Sequence, residues 1–260
     1  MNAYNQLQLR EVFHLEFLRR LGRKLNPGAY AVKGGVNLRF FFKSFRYSED
    51  MDLDARGIGI AELQETVMTI LAANAFQDNL KPFGIAGIIP PDIAKAKQTE
   101  TTQRFKIHLV LPSGEDLFTK IEFSRRGFYG NAVVEAVDNT ILRAYKLLPV
   151  LAPHYNIASA IAQKTHALAD RSTVQARDIF DLYVLSSQYP ADAKKPDKIE
   201  TGVFAKAYER VFEVKFGQFR DTVVSYLSSE DQAVYGKPHT WEEIRLKTAQ
   251  FIEELKKNHA

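Results

Sequence analysis

The spacing of apolar residues along the first half of the chain predicts helices and strands in alternation. Residues 6–25 carry the i, i+4 ridge of an amphipathic helix, formed by Leu9, Phe13, Phe17 and Leu21. Further elements follow from the same patterns: a strand over 30–33, a helix over 36–45, a strand over 47–55, a helix over 61–76 and a hairpin over 104–111 and 117–124. The stretch 80–102, broken by prolines, gives no clear pattern.

Beyond the glycines near residue 130 the pattern becomes helical throughout. The spacing predicts helices over 136–148, 156–171, 176–187, 201–212, 219–227 and 240–257, with a Pro- and Lys-rich loop over 190–198. We therefore expect an α/β lobe over residues 1–130, followed by a helical lobe over residues 131–260.

Composition narrows the class of protein without naming a function. The 260 residues are 45% hydrophobic and 25% charged, which is typical of a globular protein and excludes disorder, collagen and coiled coil. The chain has no cysteine, which removes disulfides, thiolate metal sites and cysteine nucleophiles. No apolar stretch approaches the ~20 residues of a membrane helix, and the first residues do not form a signal peptide. We expect a cytoplasmic protein.

Charge is unevenly distributed along the chain. Residues 10–46 contain nine Lys or Arg against two Glu, and four acidic residues then fall within 49–54. A basic region beside an acidic cluster suits a polyphosphate or a nucleic acid held through a metal ion. The alternative is a solvated helix face, which is the commoner origin of such charge runs.

The acidic cluster is the strongest chemical signal in the sequence. On a strand, Asp50, Asp52 and Asp54 share one face, and Met51 and Leu53 point the other way. Carboxylates on one face repel each other unless a hard cation such as Mg²⁺ binds between them. Acidic residues are depleted in strands, so the pattern favours a metal site over an acidic strand end.

Two neighbouring features fit the same chemistry. Gly34 and Gly35 stand between a predicted strand and a helix, where the backbone can approach a phosphate, although an ordinary tight turn is the commoner explanation. Glu122 interrupts an apolar strand and completes a carboxylate triad if that strand lies beside the acidic one. The alternative for Glu122 is an edge-strand residue that faces water.

The helical half contains a further charged group. Lys164 and Arg171 share a helix face, and Asp178 and Asp181 share a face of the next helix. By themselves these residues indicate salt bridges between two surface helices.

Taken together, these residues resemble the AbiEii/AbiGii family of nucleotidyltransferase toxins from type IV toxin–antitoxin pairs, which are akin to the MenT toxins. The resemblance rests on Lys33-Gly34-Gly35-Val36-Asn37-Leu38, Arg46-Tyr47-Ser48-Glu49-Asp50-Met51-Asp52-Leu53, Ile121-Glu122-Phe123, the Lys164…Arg171 helix and Arg177-Asp178-Ile179-Phe180-Asp181-Leu182. It implies an α+β fold: a polymerase-β-like nucleotidyltransferase lobe with a mixed sheet, and a helical lobe that completes the active-site cleft.

The resemblance also implies roles for individual residues. Asp50 and Asp52, with Glu122 as third ligand or base, would hold two Mg²⁺ ions. Gly34, Gly35, Ser48 and Lys164 would bind the nucleotide, and Asp178 would orient it or the acceptor. One residue departs from the family pattern: Val36 stands where Ser or Thr is usual, so the phosphate lacks a hydroxyl donor unless Asn37 replaces it.

The resulting hypothesis is a Mg²⁺-dependent toxin that transfers a nucleotide from an NTP to a nucleic-acid acceptor, with tRNA as the expected acceptor. By charge, Arg39, Lys43 and Arg46 would contact acceptor phosphates. A cognate antitoxin is the implied partner, and no membrane is expected. Two alternatives stay open: a catalytically silent nucleic-acid-binding or partner-binding protein of the same fold, and a nucleotidyltransferase of small molecules.

Overall fold

The computed structural model describes residues 4–189 and 199–259, and the chain divides into two compact units. The sheet unit consists of Met1–Phe41, Tyr47–Phe128 and Ala132–Tyr155. The helical unit consists of Phe42–Arg46, Tyr129–Asn131 and Asn156–Ala260. The loop predicted over 190–198 lies outside the described residues. No helix in the described part of the chain is long and apolar enough to span a membrane.

The sheet unit is built on a mixed sheet, which confirms the predicted α+β class. In the described residues its strands are β1 Tyr30–Lys33, β2 Asp50–Ala55, β3 Gly87–Ile89, β4 Thr102–Val110, β5 Asp116–Ser124, β6 Ala132–Ala136 and β7 Leu151–Tyr155. Their order across the sheet is β3-β4-β5-β2-β1-β7-β6. The pairs β2–β5 and β1–β7 are parallel, and the remaining neighbours are antiparallel. The acidic strand β2 therefore lies in the middle of the sheet.

One face of this sheet is covered by helices. They are α1 Gln6–Lys24, α2 Gly34–Phe41, α3 Ile60–Ala72, α4 Asn74–Leu80 and α5 Asn139–Ala144. Helix α1 begins with a capping box, in which the Asn5 side chain accepts from the Gln8 N–H and the Gln8 side chain accepts from the Asn5 N–H. The apolar ridge predicted for α1 is buried in the same core as Met51 and Leu53 of β2. Burial of that ridge fixes which face of β2 is left for polar side chains.

The helical unit contains the remaining helices of the described chain: α6 Ile157–Asp170, α7 Ala176–Ser186, α8 Thr201–Arg210, α9 Phe216–Thr222, α10 Ser229–Tyr235 and α11 Pro238–His259. Its core includes Trp241, whose ring stacks on Phe219 at 4.2 Å between centroids. The Trp241 Nε1–H donates to the Val214 carbonyl at 3.0 Å, so the indole ring is buried and its N–H group still has a hydrogen-bond partner.

The helix predicted over 136–148 is shorter than expected, since only α5 Asn139–Ala144 is helical. The residues on either side form β6 and β7, which were not predicted, and the two strands join the sheet. The sheet unit therefore reaches Tyr155 instead of ending near 130. The five-residue strands that enclose α5 are too short to show a clear alternation, and Pro153 in β7 hides the strand signal further.

Smaller differences also have local causes. The helix predicted over 61–76 breaks at Ala73, whose backbone is extended and separates α3 from α4. The unreadable stretch 80–102 contains β3, an edge strand of three residues, and α10 was not predicted.

Candidate active site

The polar face of β2 carries two of the predicted site residues. Asp50 and Asp52 are half-buried, whereas Met51 and Leu53 between them are fully buried in the core. The alternation of a strand thus presents both carboxylates on the face opposite α1, as the sequence predicted.

The neighbouring strands bring Glu122 and two cations to the same face. In the parallel pairing of β2 with β5, Asp52 lies opposite Glu122 and Asp50 lies opposite Lys120. On the other side of β2, Lys33 of β1 lies opposite Asp52. Directly opposed residues in a sheet point to the same side. The three predicted carboxylates therefore share one face of the sheet unit.

Basic side chains neutralise these carboxylates in the structure. Lys120 Nζ lies 3.1 Å from Asp50 Oδ2 and 3.9 Å from Glu122 Oε2, so one ammonium bridges two acids. Arg104 Nε donates to Glu122 Oε2 at 2.6 Å. Within residues 4–189 and 199–259, no three His, Asp or Glu side chains converge closely enough to hold a metal ion. Glu122 is thus on the predicted face, but its carboxylate is held by Arg104.

The pKa of Asp52 departs from the ordinary value of an aspartate. Burial raises the pKa of its carboxyl above the ordinary value, and the negative charges of Glu122 and Asp50 act in the same direction. Lys120 and Lys33 oppose the shift without cancelling it. A half-buried carboxylate whose neighbours repel its charge is a good ligand for an added cation.

Asp54 shares the face of Asp50 and Asp52 but is already bound to protein groups. It is 3% exposed, with Lys33 Nζ 2.5 Å from Oδ1 and the Tyr155 hydroxyl donating to Oδ2 at 2.6 Å. Because both oxygens are satisfied, Asp54 holds β1 and β7 beside β2 and is not free to bind a ligand.

Helix α2 begins directly beside Asp52. Gly34 has φ +67°, which favours glycine, and a Cβ at this position would lie 3.3 Å from Asp52 Oδ2. Gly35 follows in the first turn of α2, where backbone N–H groups have no partner within the helix. The glycines predicted to approach a phosphate are therefore adjacent to the acidic strand.

The two residues after the glycines face the protein interior. Val36 is 2% exposed and belongs to the apolar core. The Asn37 side chain donates to the Tyr155 carbonyl at 3.0 Å, and its Oδ1 lies 2.9 Å from His154 Nδ1. Asn37 is thus held within the sheet unit and does not replace the missing hydroxyl at position 36.

Ser48 and the residues behind it fix the start of β2. The Ser48 hydroxyl donates to the Asp50 carbonyl at 2.8 Å, and the Thr119 hydroxyl donates to the Glu49 carbonyl at 2.7 Å. His14 of α1 lies 2.9 Å from Thr119 Oγ1. Since that hydroxyl is already used as a donor, the His14 Nε2–H must donate to it. Burial, with help from the Arg10 charge, lowers the pKa of His14 to about 3, so the ring is neutral.

In the helical unit, Lys164 and Asp178 contact each other. Lys164 Nζ donates to Asp178 Oδ1 at 3.0 Å and lies 2.6 Å from Asp181 Oδ2, and both aspartates are fully buried. Arg171 Nε lies 2.9 Å from Asp178 Oδ2, an ion pair that is not aligned as a hydrogen bond. Burial acts to lower the pKa of Lys164, but the two carboxylates outweigh it and leave that pKa above the ordinary value.

The basic residues proposed to bind acceptor phosphates have other contacts. Arg39 Nε donates to the buried Glu11 carboxylate at 2.6 Å, and Arg46 Nη2 lies 3.2 Å from Asp181 Oδ1 in the helical unit. Both arginines therefore stabilise the interior of their own units, and the expectation from charge alone is wrong for them. Lys43 is exposed, as that expectation required.

The sequence reasoning missed Lys120 and Arg104, which hold the acidic residues in place. The alternation along each strand could have placed them on the polar face, because Lys120 on β5 and Arg104 on β4 both lie between buried residues. Only the register of the strands shows which acid each contacts.

Comparison with known proteins identifies the class. The profile of the family described as nucleotidyl transferase AbiEii toxin, type IV toxin–antitoxin system, matches residues 16–259. The chain belongs to this family and is a nucleotidyltransferase toxin. Membership implies an NTP substrate and a cognate antitoxin. No curated protein matches the chain by sequence.

Solved structures share the fold. JHP933 from Helicobacter pylori is 19% identical, with a TM-score of 0.57 over 99% of this chain and 94% of that one. MenT4, nucleotidyltransferase toxin Rv2826c from Mycobacterium tuberculosis H37Rv, is 18% identical, with a TM-score of 0.54 over 97% of this chain and 86% of that one. At this identity the likeness shows a common nucleotidyltransferase fold, as the sequence predicted.

Proposed function

We propose that the chain catalyses Mg²⁺-dependent transfer of a nucleotide from an NTP to a nucleic-acid acceptor, with tRNA as the expected acceptor. The observation that carries this proposal is the approach of the α2 N-terminus to Asp52. Gly34, whose φ of +67° favours glycine, brings a phosphate-binding backbone next to a half-buried carboxylate that can serve as an oxygen ligand.

Asp50 and Asp52 suit a hard divalent cation. Mg²⁺ in nucleotide-dependent enzymes is commonly bound by one or two carboxylates together with substrate phosphates, and a cage of protein ligands is not needed. The Lys120 ammonium bridges Asp50 and Glu122, so carboxylates on this face already attract positive charge. When bound, the metal would neutralise triphosphate charge and lower the pKa of the attacking hydroxyl.

The chain's own residues would supply the remaining requirements. The backbone N–H groups of Gly34 and Gly35 would donate to phosphate oxygens. Lys33 and Lys120 on the same face would balance the negative charge of the triphosphate. In the transfer step the acceptor oxygen forms a bond to the α-phosphorus, the bond to pyrophosphate breaks, and a carboxylate takes the hydroxyl proton. Glu122 is the candidate for that carboxylate or for a third metal ligand, and either role requires it to leave Arg104.

In this proposal Lys164 and Asp178 position parts of the helical unit and do not contact the nucleotide directly. The Lys164 ammonium already contacts two buried carboxylates, which supports a positioning role within the helical unit. A direct contact of Lys164 with the triphosphate, as in the role implied by the family resemblance, would have to compete with Asp178 and Asp181.

A transfer assay tests the proposed function. Purified protein is incubated with each labelled NTP, MgCl₂ and total tRNA, and label on RNA and released pyrophosphate are measured. We expect transfer by the wild type and a loss of at least about 100-fold in Asp52→Asn, because a metal ligand is removed while the shape is kept. Asp221→Asn is a matched control, since Asp221 is 62% exposed in the helical unit. Equal transfer by Asp52→Asn and wild type would overturn the metal assignment.

The same assay tests the alternative that the protein binds nucleic acid without catalysing transfer. The buried Val36 favours this alternative, because it leaves α2 without the usual hydroxyl. RNA binding without transfer of any nucleotide would establish that alternative. The small-molecule alternative is disfavoured by a groove of the sheet unit that Arg104 also lines, because a lining of four Lys or Arg against one Asp does not suit a cationic substrate.

A further inference from the structure

A row of apolar and aromatic side chains lies on the same sheet face as the carboxylates. In the register of β3, β4 and β5, Ile89 is opposite His108, and His108 is opposite Phe118. Ile89 is 47% exposed and Phe118 is 57% exposed, and the rings of His108 and Phe118 are 4.4 Å apart. Phe118 shares its face with Lys120 and Glu122 because the three alternate along β5.

A basic row separates the aromatic row from the carboxylates. Lys106 of β4 lies opposite Lys120 of β5, and Lys120 lies opposite Asp50 of β2. Lys106 is exposed and forms no salt bridge within the part of the chain that the structure describes. Its ammonium is therefore available to an external anion, in contrast to that of Lys120.

A groove of about 420 Å³ runs along this edge of the sheet unit. Its lining includes His108 and four Lys or Arg against one Asp: Lys95, Lys97, Arg104, Lys106 and Asp92. Ile89, Pro90 and Pro91 form an apolar wall. Arg104 both lines the groove and contacts Glu122, so the groove begins at the candidate active site.

The spacing of the rows fits a polynucleotide strand. Residues on one strand face repeat at about 6.6 Å, so Phe118 lies roughly 13 Å along β5 from Glu122. A stacked nucleotide strand advances about 3.4 Å per nucleotide, and an extended one advances further. A base on Phe118 would thus belong to a nucleotide a few positions away from the reacting end.

We propose that this face and groove bind an unpaired strand of the acceptor. A base stacks on the Phe118 ring, beside which the His108 ring stands edge-on at 63°, and Lys106 binds a backbone phosphate. Exposed aromatic rings beside a row of lysines are the combination by which proteins hold single strands, because every unpaired base offers a π face. The inference rests on the proposed function, and it narrows the acceptor to one with a single-stranded segment beside the reacting hydroxyl.

The stacking contact is tested by binding of a fluorescein-labelled 12-nucleotide single-stranded RNA of mixed sequence, followed by anisotropy. Phe118→Ala should weaken binding about 5- to 150-fold, the usual range for loss of one stacked base. Phe118→Trp should retain the affinity, and Phe118→Leu should lose most of it, because leucine keeps the apolar bulk without the ring. The matched control is Phe212→Ala in the helical unit, where the ring is 41% exposed. Wild-type affinity in Phe118→Ala or Phe118→Leu would overturn the stacking contact.

The phosphate contact has a separate readout in the salt dependence of binding. Removal of one phosphate contact to a single strand should lower the slope of log K against log salt by about 0.7. Lys106→Ala should show this change, and Lys257→Ala should not, since Lys257 is 71% exposed and lies in the helical unit. An unchanged slope in Lys106→Ala would contradict the contact. The same RNA annealed to its complement should bind more weakly, and equal binding of the duplex would overturn the preference for an unpaired strand.

Nucleotide transfer distinguishes failure of this inference from failure of the proposed function. If wild type transfers a nucleotide, Phe118→Ala should raise KM for the acceptor and leave kcat and the KM for NTP near wild type. An unchanged acceptor KM would overturn the strand site while the transferase proposal stands. If wild type transfers nothing to any polynucleotide, the proposed function is wrong, and the binding data alone decide whether the groove holds a strand.

Discussion

At the scale of single residues, Asp52 couples stability to the candidate function. Its pKa is raised in the folded protein, so the folded state binds a proton more readily than the unfolded state does. By linkage, the metal-free protein loses stability as the pH rises through this pKa. The charge that would serve a metal ion therefore destabilises the empty site.

We expect Asp52→Asn to melt at a higher temperature than wild type at pH 7–8 without divalent cations, because the buried charge and its repulsion by Glu122 and Asp50 are removed. The difference should shrink as the pH falls and wild-type Asp52 is protonated. Thermal melts of both proteins across pH 4–8 measure this, with Asp221→Asn as the exposed control. A lower melting temperature for Asp52→Asn at neutral pH would show that Lys120 and Lys33 stabilise the charged form.

Val36 gives a second prediction at the same scale. Threonine is close to valine in shape, but its hydroxyl would lie in the apolar core, which costs about 1–3 kcal/mol without a partner. We expect Val36→Thr to lower the melting temperature and to leave NTP affinity unchanged. Titration calorimetry with Mg²⁺–NTP checks the affinity. A clear gain in affinity would show that the new hydroxyl reaches a phosphate.

At the scale of elements, sequence reasoning succeeded where one face of an element is buried. The α1 ridge and the alternation of β2, β4 and β5 are consequences of burial on one side, and the sequence records this directly. The strands of 132–155 were not predicted, because β6 is largely exposed and β7 is buried at four of its five residues. Neither strand therefore alternates between apolar and polar positions.

The pairing of elements could not be predicted. The sequence left open whether Glu122 faces Asp52 or water, since periodicity gives the face of a strand but not its neighbour. The parallel register of β2 and β5 supplies that information. For the same reason His108 and Phe118, each unremarkable within its own strand, were not recognised as a pair.

The contact of α6 with α7 gives the element-scale prediction. Loss of a partner from a buried ion pair costs about 3–5 kcal/mol, whereas an exposed pair is worth up to about 1 kcal/mol. Lys164→Ala should therefore destabilise the protein strongly, because Asp178 and Asp181 are fully buried. Lys257→Ala, which removes an exposed pair with Glu253, should have little effect.

Urea denaturation of Lys164→Ala, Asp178→Asn, the double variant Lys164→Ala/Asp178→Asn and Lys257→Ala measures these costs. The double variant should lose less than the sum of the single losses, since its second change removes a charge that the first left unpaired. Additive losses would mean that Lys164 and Asp178 contribute independently, and that a role for Lys164 outside this ion pair has to be sought.

At the scale of the whole molecule, the structure shows which of the basic residues are exposed and which are held in buried ion pairs. The excess of basic residues in the first half was the reason to expect an anionic partner, yet the two arginines first chosen are held in buried ion pairs. The exposed cations that remain near the carboxylates lie on β4 and beside it, at Lys95, Lys97 and Lys106. Net charge indicates the class of partner, but only the exposed charged residues can contact that partner.

Metal binding gives a prediction for the stability of the whole chain. A ligand that binds only the folded state stabilises it by RT ln(1 + [L]/Kd), about 2.7 kcal/mol at a hundred times Kd. For a protein of this size that corresponds to roughly 5–10 °C in melting temperature.

We expect MgCl₂ with NTP to raise the wild-type melting temperature by this amount, and NaCl of equal ionic strength to have a much smaller effect. The shift should vanish in Asp52→Asn and persist in Asp78→Asn, whose exposed carboxylate pairs only with the neighbouring Lys81 in the described structure. Equal shifts in both variants would place the cation away from Asp52, because a ligand stabilises the fold only through the residues that bind it.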